Sequence, residues 1–479
     1  MKKLTIRLSN GQTQMVCYAL SLFFMKGLSL IMLPITTRFL SPVQIGELEL
    51  LAVTASFIGI LLSGCLHEAL YRYCSNNSSS QRKHEVANQL FSMTLMISIC
   101  LATIGLLLTT AIEWSASWVL SKDTVLILWL SLTIEGAIAV CLAWLRMQDK
   151  IKAFCQICIG TSVLQVTLVI GALLLDFDVI GVLLAGFIAH CAQFFALIYS
   201  SQLRFCLPNV RLVNTALSYS LPLMLSSIIA FGLNGAERWF MLQAESLYMV
   251  GQYAIAAKFA LALCVLIQPF GMWWLPKRYA MLDKNKQKAA KITEIGVIYI
   301  CIASVSVAVF GQYLLHFALT EQYAFAASLL VGAIFMVLGK EFTELLNLGL
   351  LYQKQTRTIL WVNFSITLCT VTWCAITYQW GIWSIMISIG CAQLLRAALV
   401  YYLSQGCCFL PFRTIRLCLY PLITISTLIS IHNSSPLMSL LLVVISSLLF
   451  LAIYQLPAKK TISLQQAKSG SIKQAQAHE

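Results

Sequence analysis

Charged residues are scarce in this chain of 479 residues. They make up 10% of it, hydrophobic residues make up 59%, and the mean hydropathy is +0.83. Soluble domains carry about 25% charged residues, so this composition excludes a soluble enzyme or binding domain as the main body of the protein. Because about 20 apolar residues cross a bilayer as a helix, the length leaves room for many spans. The composition therefore predicts an integral membrane protein.

Motifs for bound nucleotides, metals and nucleophilic catalysis are also missing. The sequence has no Gly-rich phosphate-binding loop, no HExxH pair, and no Ser or Cys nucleophile beside a His and an acid between the apolar runs. Most of the 17 cysteines lie inside those runs, where a thiol packs as a small apolar side chain; the CQIC sequence at Cys155 to Cys158 is one example. We therefore expect this protein not to be an enzyme, to have no catalytic residue, metal site or cofactor, and to draw no energy from bound ATP.

Long apolar runs are what the sequence does contain. They are continuous rather than alternating, which favours helices over a transmembrane barrel. The first run is too long for a secretory signal and no small-residue cleavage site follows it, so we expect it to stay as a span. Hydropathy predicts fourteen helical spans, near residues 13–37, 47–70, 87–111, 124–145, 153–175, 180–201, 218–241, 251–273, 293–315, 324–349, 359–378, 382–403, 417–431 and 436–455.

Cations and acids alternate between the segments that connect these spans. With the N-terminus in the cytoplasm, most of the 32 Lys and Arg residues fall in inner segments, and the outer segments hold only Arg38 and Lys122. This distribution follows the positive-inside rule and predicts a multi-pass protein with both termini in the cytoplasm. The net charge of +14 thus indicates orientation and contact with inner-membrane lipids, not nucleic-acid binding.

Ten charged residues fall inside the predicted spans. At about 2.5–3.5 kcal/mol each, they would cost roughly 25–35 kcal/mol if all of them faced lipid near mid-depth. They must therefore pair with one another, reach the membrane surface or line a water-filled cavity. The ten are Lys26, Glu68, Glu135, Glu237, Arg238, Lys258, Lys340, Glu341, Glu344 and Arg396.

Two of these charges lie near the predicted midplane. Lys26 is about 20 Å along the first span, and its stem is too short to reach either surface comfortably. We expect it to face a cavity, with a structural pair to Glu68 or Glu135 as the alternative. Glu135 has no cation within helical reach on its own span, so it is either a protonatable coupling group or a neutral, hydrogen-bonded core acid.

The remaining charges have local partners or lie nearer to a span end. Lys340 and Glu344 are four residues apart and can pair on one helix face, which leaves Glu341 as the freer acid. Lys258 and Arg396 lie about 10 Å from the nearer span end, where a long side chain either reaches the surface or faces a cavity.

One pattern recurs at the outer ends of span one and span seven. The chain reads TTRFLSPVQIGELELLAVTASF in the first place and AERWFMLQAESLYMVGQYAIAAKFAL in the second. Each has an Arg, two bulky apolar residues, a linker, and then an apolar residue and a Gly that open the next helix: Arg38 with Gly46, and Arg238 with Gly251. The repeat predicts two homologous six-helix halves related by an axis along the membrane normal, with a cavity between them. The cations expected to converge there are Lys26, Arg38, Arg238 and Lys258.

Three segments resemble the signature regions of a known family. They read KGLSLIMLPITTRFLSPVQIGELELL, YSLPLMLSSIIAFGLNGAERWFM and VGQYAIAAKFALAL. They look like those of the bacterial polysaccharide transporters, the O-antigen flippases of the multidrug, oligosaccharidyl-lipid and polysaccharide exporter superfamily. The resemblance implies an all-α integral membrane protein of about fourteen helices, with two six-helix lobes around a central cavity, two C-terminal helices, and alternating access.

The resemblance also divides the chain and names a substrate. It implies an N-terminal lobe of spans 1–6 over residues 1–203, a C-terminal lobe of spans 7–12 over 204–405, and spans 13–14 with a basic cytoplasmic tail over 406–479. The implied substrate is an undecaprenyl-diphosphate-linked oligosaccharide that is turned from the cytoplasmic to the periplasmic leaflet of the bacterial inner membrane. A glycan polymerase and a chain-length regulator are the implied protein partners.

The family's functional residues are carried over by position. The resemblance implies that cavity cations meet the diphosphate, and we carry that role onto Lys26, Arg38, Arg238 and Lys258. Many relatives have Asp before the Arg of span seven, where this chain keeps the charge with Glu237. We expect proton or sodium movement to reset the cavity, and the acids expected to carry it or to line the cavity are Glu135, Glu341, Glu68 and Glu237.

Two other classes of protein stay open. A membrane glycan polymerase or ligase has a similar number of spans, but it usually needs a long periplasmic loop, and the outer segments here are short. A multidrug or cation extruder shares the superfamily fold, and its cavity is expected to be acidic.

Overall fold

The structure is a computed structural model of the chain, and it describes residue 24 and residues 27–74, 79–113, 122–274, 278–353, 355–432 and 434–455. Nearly all of these residues are helical, and none of them forms a β-strand. Thirteen of the helices are long and apolar enough to cross a membrane, and the described part of one more apolar helix precedes them. The prediction of an all-α membrane protein with about fourteen spans is confirmed.

The helices are numbered in chain order. They are α1 Gly27–Phe39 (the described part of span one), α2 Pro42–Ser63, α3 Leu66–Cys74, α4 Ser80–Glu113, α5 Lys122–Met147, α6 Ile151–Leu174, α7 Asp178–Ser201, α8 Val210–Phe231, α9 Glu237–Ala244, α10 Leu247–Trp274, α11 Arg278–Lys284, α12 Lys286–Ala318, α13 Ala324–Leu346, α14 Leu348–Tyr352, α15 Thr356–Thr377, α16 Ile382–Cys407, α17 Thr414–His432 and α18 Pro436–Gln455. Single 3₁₀ turns at Glu321–Tyr323 and Tyr378–Trp380 precede α13 and α16.

Helix α2 begins five residues before the predicted span two. Ser41 and Gln44 form a capping box: the Gln44 N–H donates to the Ser41 hydroxyl (3.4 Å), and the Ser41 N–H donates to the Gln44 side chain (2.8 Å). Pro42 fits the first turn because its missing N–H has no intrahelical partner there. The helix ends at Gly64, whose φ of 51° lies in the left-handed region. The predicted span 47–70 was therefore placed too far along the chain.

Span seven, predicted as one helix over 218–241, is broken. Helix α8 ends at Phe231, a turn occupies residues 232–236, and α9 begins at Glu237. Two glycines lie in this turn, and a Cβ on Gly235 would overlap the ring of Phe231. The break places Glu237 and Arg238 in the first turn of a short helix instead of inside a continuous span.

The long helices pack as two groups. Helices α2 and α4–α7 contact one another in the first group, and α8, α10, α12, α13, α15 and α16 form the second. The last two helices, α17 and α18, pack on α12 of the second group. The main contact between the groups joins α2 to α10. This packing gives two lobes and two additional helices, while the exact lobe boundaries at 203/204 and 405/406 stay predictions.

Helices α2 and α10 cross at a pair of glycines. A Cβ on Gly46 would overlap the carbonyl oxygen of Leu247, and a Cβ on Gly251 would overlap the carbonyl oxygen of Pro42. The two contacts are reciprocal, because each glycine lies four residues after the residue whose carbonyl meets the other glycine. Backbones approach this closely only where side chains are absent. The crossing lies at the N-terminal ends of both helices, which face the predicted outer side of the membrane.

We expect Gly46→Ala to destabilise the protein by about 1–3 kcal/mol, because the added methyl group must push two helix backbones apart. The measurement is the midpoint of thermal unfolding of the purified protein in detergent. Gly160→Ala on α6 is the matched control, because nothing lies within 4 Å of its added Cβ. That control should leave the midpoint unchanged or slightly higher, since Ala favours helices over Gly. Equal midpoints for the two variants would contradict the close crossing.

Candidate functional site

A cavity of about 510 Å³ lies between the two helix groups. Helices α2, α3 and α5 of the first lobe form most of its wall, and α8 of the second lobe closes the remaining side. Its lining residues are Ser56, Gly59, Ile60, Ser63, Cys65, His67, Glu68, Glu135, Ala139, Leu223, Ser226 and Ser227. Four hydroxyls, two carboxylates and an imidazole lie among apolar groups in this lining, and ionisable groups around a cavity at membrane depth mark a site for solute or ions.

The two carboxylates lie at different depths. Glu135 is in the middle of α5, with its Oε2 atom 3.2 Å from the point that a Cβ on Gly59 would occupy. The missing side chain at that glycine therefore leaves space for the carboxylate. Glu68 lies beyond the inner end of α2, with its Oε1 atom 3.6 Å from His67 Nε2. Within the described lining there is no Lys or Arg, so the charge of this part of the cavity is acidic.

An ion cluster joins the two lobes between the glycine crossing and the cavity. Arg238 of α9 donates from Nε to Glu49 Oε1 of α2 at 2.8 Å and from Nη1 to its neighbour Glu237 Oε1 at 2.5 Å. Lys258 Nζ of α10 lies 3.9 Å from Glu49 Oε2. The cluster contains two acids and two cations, so its formal charge is zero.

Burial differs within this cluster. The Arg238 and Glu49 side chains are each 12% exposed and Glu237 is 4% exposed, whereas Lys258 is 38% exposed. Tyr253 completes the buried part: its hydroxyl donates to Glu237 Oε1 at 3.2 Å, and its ring centroid lies 5.4 Å from the guanidinium carbon of Arg238. Arg238 is thus paired with two carboxylates, and Lys258 is the more exposed cation of the cluster.

An aromatic cluster packs at the inner side of these ions. The rings of Phe57, Phe231 and Trp239 contact one another with centroids 5.2–5.4 Å apart. Trp239 also donates from its indole N–H to the Thr54 hydroxyl at 3.2 Å, which ties α9 to α2. These rings come from both lobes and seal the interface next to Ser56, the outermost residue of the cavity lining on α2.

The site residues predicted from the sequence are divided between the ion cluster, the cavity lining and positions outside both. Lys26 lies outside the described residues, and Arg38 is exposed at the end of α1. Arg238, Lys258 and Glu237 come together in the ion cluster, while Glu68 and Glu135 line the cavity. Glu341 of α13 lies apart from both, hydrogen bonded to the Cys264 thiol of α10. The roles assigned to these residues stay predictions.

Glu49 is the residue that the sequence reasoning missed. The predicted start of span two at residue 47 placed it at the membrane surface, where acids are ordinary. The true start at Pro42 puts it about 10 Å into the helix. The signal was present, since Ser41 and Gln44 have the spacing of a capping box and mark the earlier start.

Two packed helix lobes with a polar cavity between them make this the fold of a membrane transporter, and comparisons with known proteins identify its family. Residues 14–277 match the family described as Polysaccharide biosynthesis protein. The match covers more than half of the sequence, so the chain belongs to that family. No curated protein matches the sequence.

Solved structures share the fold. The lipid II flippase MurJ in an inward closed conformation has a TM-score of 0.71 and 14% identity, over 92% of this chain and 98% of that chain. An inward-facing multidrug resistance MATE family transporter of the MOP superfamily has a TM-score of 0.57 and 16% identity, over 87% and 97%. A MATE transporter in complex with MaD3S has a TM-score of 0.51 and 16% identity, over 85% and 96%. At these identities the likeness shows the fold alone.

We expect Arg238→Gln to cost about 3–5 kcal/mol of stability, because it leaves two buried carboxylates without their shared cation. Lys258→Gln should cost about 1 kcal/mol or less, since that side chain is half-exposed and pairs at a longer distance. Thermal unfolding of both variants in the same detergent checks the difference. An equal loss in the two variants would contradict the central position of Arg238.

Proposed function

We propose that this protein is a flippase for undecaprenyl-diphosphate-linked oligosaccharide, such as an O-antigen repeat unit. It turns the lipid from the cytoplasmic to the periplasmic leaflet of the bacterial inner membrane by alternating access. Membership of the polysaccharide biosynthesis family supports the substrate class, and the fold shared with the lipid II flippase MurJ is consistent with it. A glycan polymerase and a chain-length regulator are the proposed partners on the outer side.

The observation that carries the proposal is the pair of cations held at the lobe interface next to the cavity. A diphosphate bears about two negative charges, and moving an isolated ion into hydrocarbon costs far more than one hydrogen bond returns. Arg238 offers a planar fork that matches phosphate oxygens, and Lys258 offers a partly free ammonium. Lys26 and Arg38 extend the proposed diphosphate path. The lipid tail stays in the bilayer while the sugars occupy the cavity.

Ion coupling is proposed to use the cavity acids. Glu135 is the strongest candidate, because it faces the cavity and no Lys or Arg shares the described lining with it. A carboxylate in that position can take up a proton or a sodium ion from one side and release it to the other. Glu68 borders the inner end of the same cavity, while Glu341 and Glu237 have side-chain partners elsewhere.

An extruder of organic cations is the second candidate function. The specific observation in its favour is the acidic lining of the cavity. Among the described residues that line it, the carboxylates are Glu68 and Glu135, and His67 lies beside Glu68. Negative charge attracts a cationic drug and repels a diphosphate, unless the anion contacts Arg238 and Lys258 at the outer end of the cavity. The two functions therefore predict opposite substrate charge in one assay.

The test is transport in sealed vesicles with two substrates, a short undecaprenyl-diphosphate-linked oligosaccharide and ethidium. We expect glycan flipping without ethidium export, and Lys258→Ala should slow flipping about tenfold or more, because a hydrogen bond to a charged group is worth about 1.5–3 kcal/mol. Lys152→Ala, an exposed lysine at the start of α6, is the control and should transport normally. Ethidium export without flipping would assign the extruder function instead. Lys26→Ala, compared at normal protein levels, tests the proposed contact of Lys26 with the diphosphate, because this residue lies outside the described part of the chain.

A second experiment tests coupling. In the same vesicles we expect flipping to speed up under an imposed proton or sodium gradient, and Glu135→Gln to remove that response while downhill flipping continues. The Gln amide does not ionise at any accessible pH, so it can neither carry a coupling proton nor supply negative charge to a sodium ion, which is the reason for the loss. Glu85→Gln, at an exposed site near the inner end of α4, is the control. A full gradient response in Glu135→Gln would exclude this acid as the coupling group.

A further inference from the structure

Helix α2 has an ordered series of contacts along its length. From the outer end inward it carries the glycine crossing at Gly46, the ion pair at Glu49, the aromatic contact at Phe57, and the cavity at Gly59 and Ser63. At 1.5 Å per residue these contacts cover about 26 Å of helix. The lobes are closed on one another at the outer end and separated by a cavity farther in. Any passage to the outer side must break the contacts above the cavity.

Glu49 is the acid of α2 that pairs with the second lobe in that closed region. It accepts from Arg238 Nε at 2.8 Å and lies on the opposite lobe from that arginine. Glu237, the other acid that pairs with Arg238, lies on the same short helix as the arginine. Its ion pair with Arg238 therefore does not connect the two lobes. Of the two carboxylates on Arg238, Glu49 alone therefore resists separation of the lobes.

The Glu49 carboxylate bound to Arg238 resembles the diphosphate of the proposed substrate, because both are anions with oxygen acceptors. Burying a guanidinium in a membrane requires an anionic partner, because the unpaired charge would cost several kcal/mol. Phosphate and carboxylate oxygens accept the same paired N–H donors. A diphosphate that reaches Arg238 therefore competes with Glu49 for the same hydrogen bonds, and its own negative charge repels the carboxylate that it replaces.

Lys258 lies on the route between the cavity and this pair. The reciprocal contacts put Gly46 of α2 level with Gly251 of α10, so Lys258, seven residues after Gly251, is about one helical turn inward of Glu49. Its side chain is 38% exposed, and its Nζ lies 3.9 Å from Glu49 Oε2. An anion that moves outward from the cavity past the aromatic cluster reaches the level of Lys258 before that of Glu49 and its partner Arg238.

We propose that Glu49 is a latch residue that occupies Arg238 in the substrate-free state and is displaced by the lipid diphosphate, which releases α2 from α9 and opens the outer side. Lys258 receives the diphosphate first, and Arg238 takes it when Glu49 leaves. The glycine crossing beyond the latch can then separate, since the two glycines contribute backbone contacts, which are individually weak. The release step rests on the proposed function, whereas the closing role of Glu49 does not.

The experiment is hydrogen–deuterium exchange of the full chain in lipid nanodiscs, read on peptides that cover residues 42–50 and 247–254. Glu49→Gln without ligand should raise exchange in both peptides about tenfold or more, because a buried pair broken on one side loses several kcal/mol. Undecaprenyl diphosphate should raise exchange of the same peptides in the wild-type protein, and uncharged undecaprenol should not. In Glu49→Gln the diphosphate should add no further increase.

Two control variants separate a latch from a general loss of structure. Glu237→Gln removes the other acid from Arg238, and Glu47→Gln removes a nearby acid of α2 that is outside the cluster; neither should raise exchange in both peptides. Wild-type exchange rates in Glu49→Gln, or an equal rise in Glu237→Gln, would overturn the latch. If undecaprenyl diphosphate binds and flips in the wild type without changing exchange, displacement is overturned while the proposed function stands. If flipping fails but Glu49→Gln opens the outer end, the proposed function falls and the closing role of Glu49 remains.

Discussion

Contact of backbone against backbone between α2 and α10 is the constraint on which the rest of this structure depends. Gly46 and Gly251 let two helices from different lobes approach closely enough for a carboxylate on one lobe to reach a guanidinium on the other. Farther inward, the same helix forms part of the cavity wall. One helix therefore contributes to closure at its outer end and to the cavity at its inner end, and a change in the angle between the two helices alters both.

Much of the fold was predictable because a bilayer permits few solutions. An apolar run of about 20 residues in lipid must satisfy its own backbone hydrogen bonds, and a helix does this without any partner. The number of spans therefore followed from hydropathy. The repeated Arg and Gly pattern also singled out Gly46 and Gly251 before the structure placed them in contact, since both open a helix after an outer turn. It could not reveal that the two glycines meet.

The site was less predictable, for two physical reasons. Hydropathy averaged over a window does not fix a helix start among polar residues, so the predicted start of span two at residue 47 left Glu49 at the edge of the span and hid its depth. Charge pairing also depends on contacts between distant parts of the chain: Arg238 and Glu49 are 189 positions apart. The prediction that intramembrane charges must pair or line a cavity was correct as a physical requirement, but the choice between these outcomes needed the packing of α2, α9 and α10.

The reciprocal glycine contact has the symmetry of an isologous interface, in which residue i of one unit meets residue j of the other and j meets i. Here the two units are halves of one chain, and the contact repeats with the carbonyls of Pro42 and Leu247 in equivalent positions. A single half-length chain could form the same crossing with a second copy of itself, with the glycines of the two copies related by the two-fold axis. Because the two units belong to one chain, each can carry a different residue at an equivalent position. Glu49 therefore faces a cation from the other half, an asymmetric pair that two identical chains could form only by duplicating both charges.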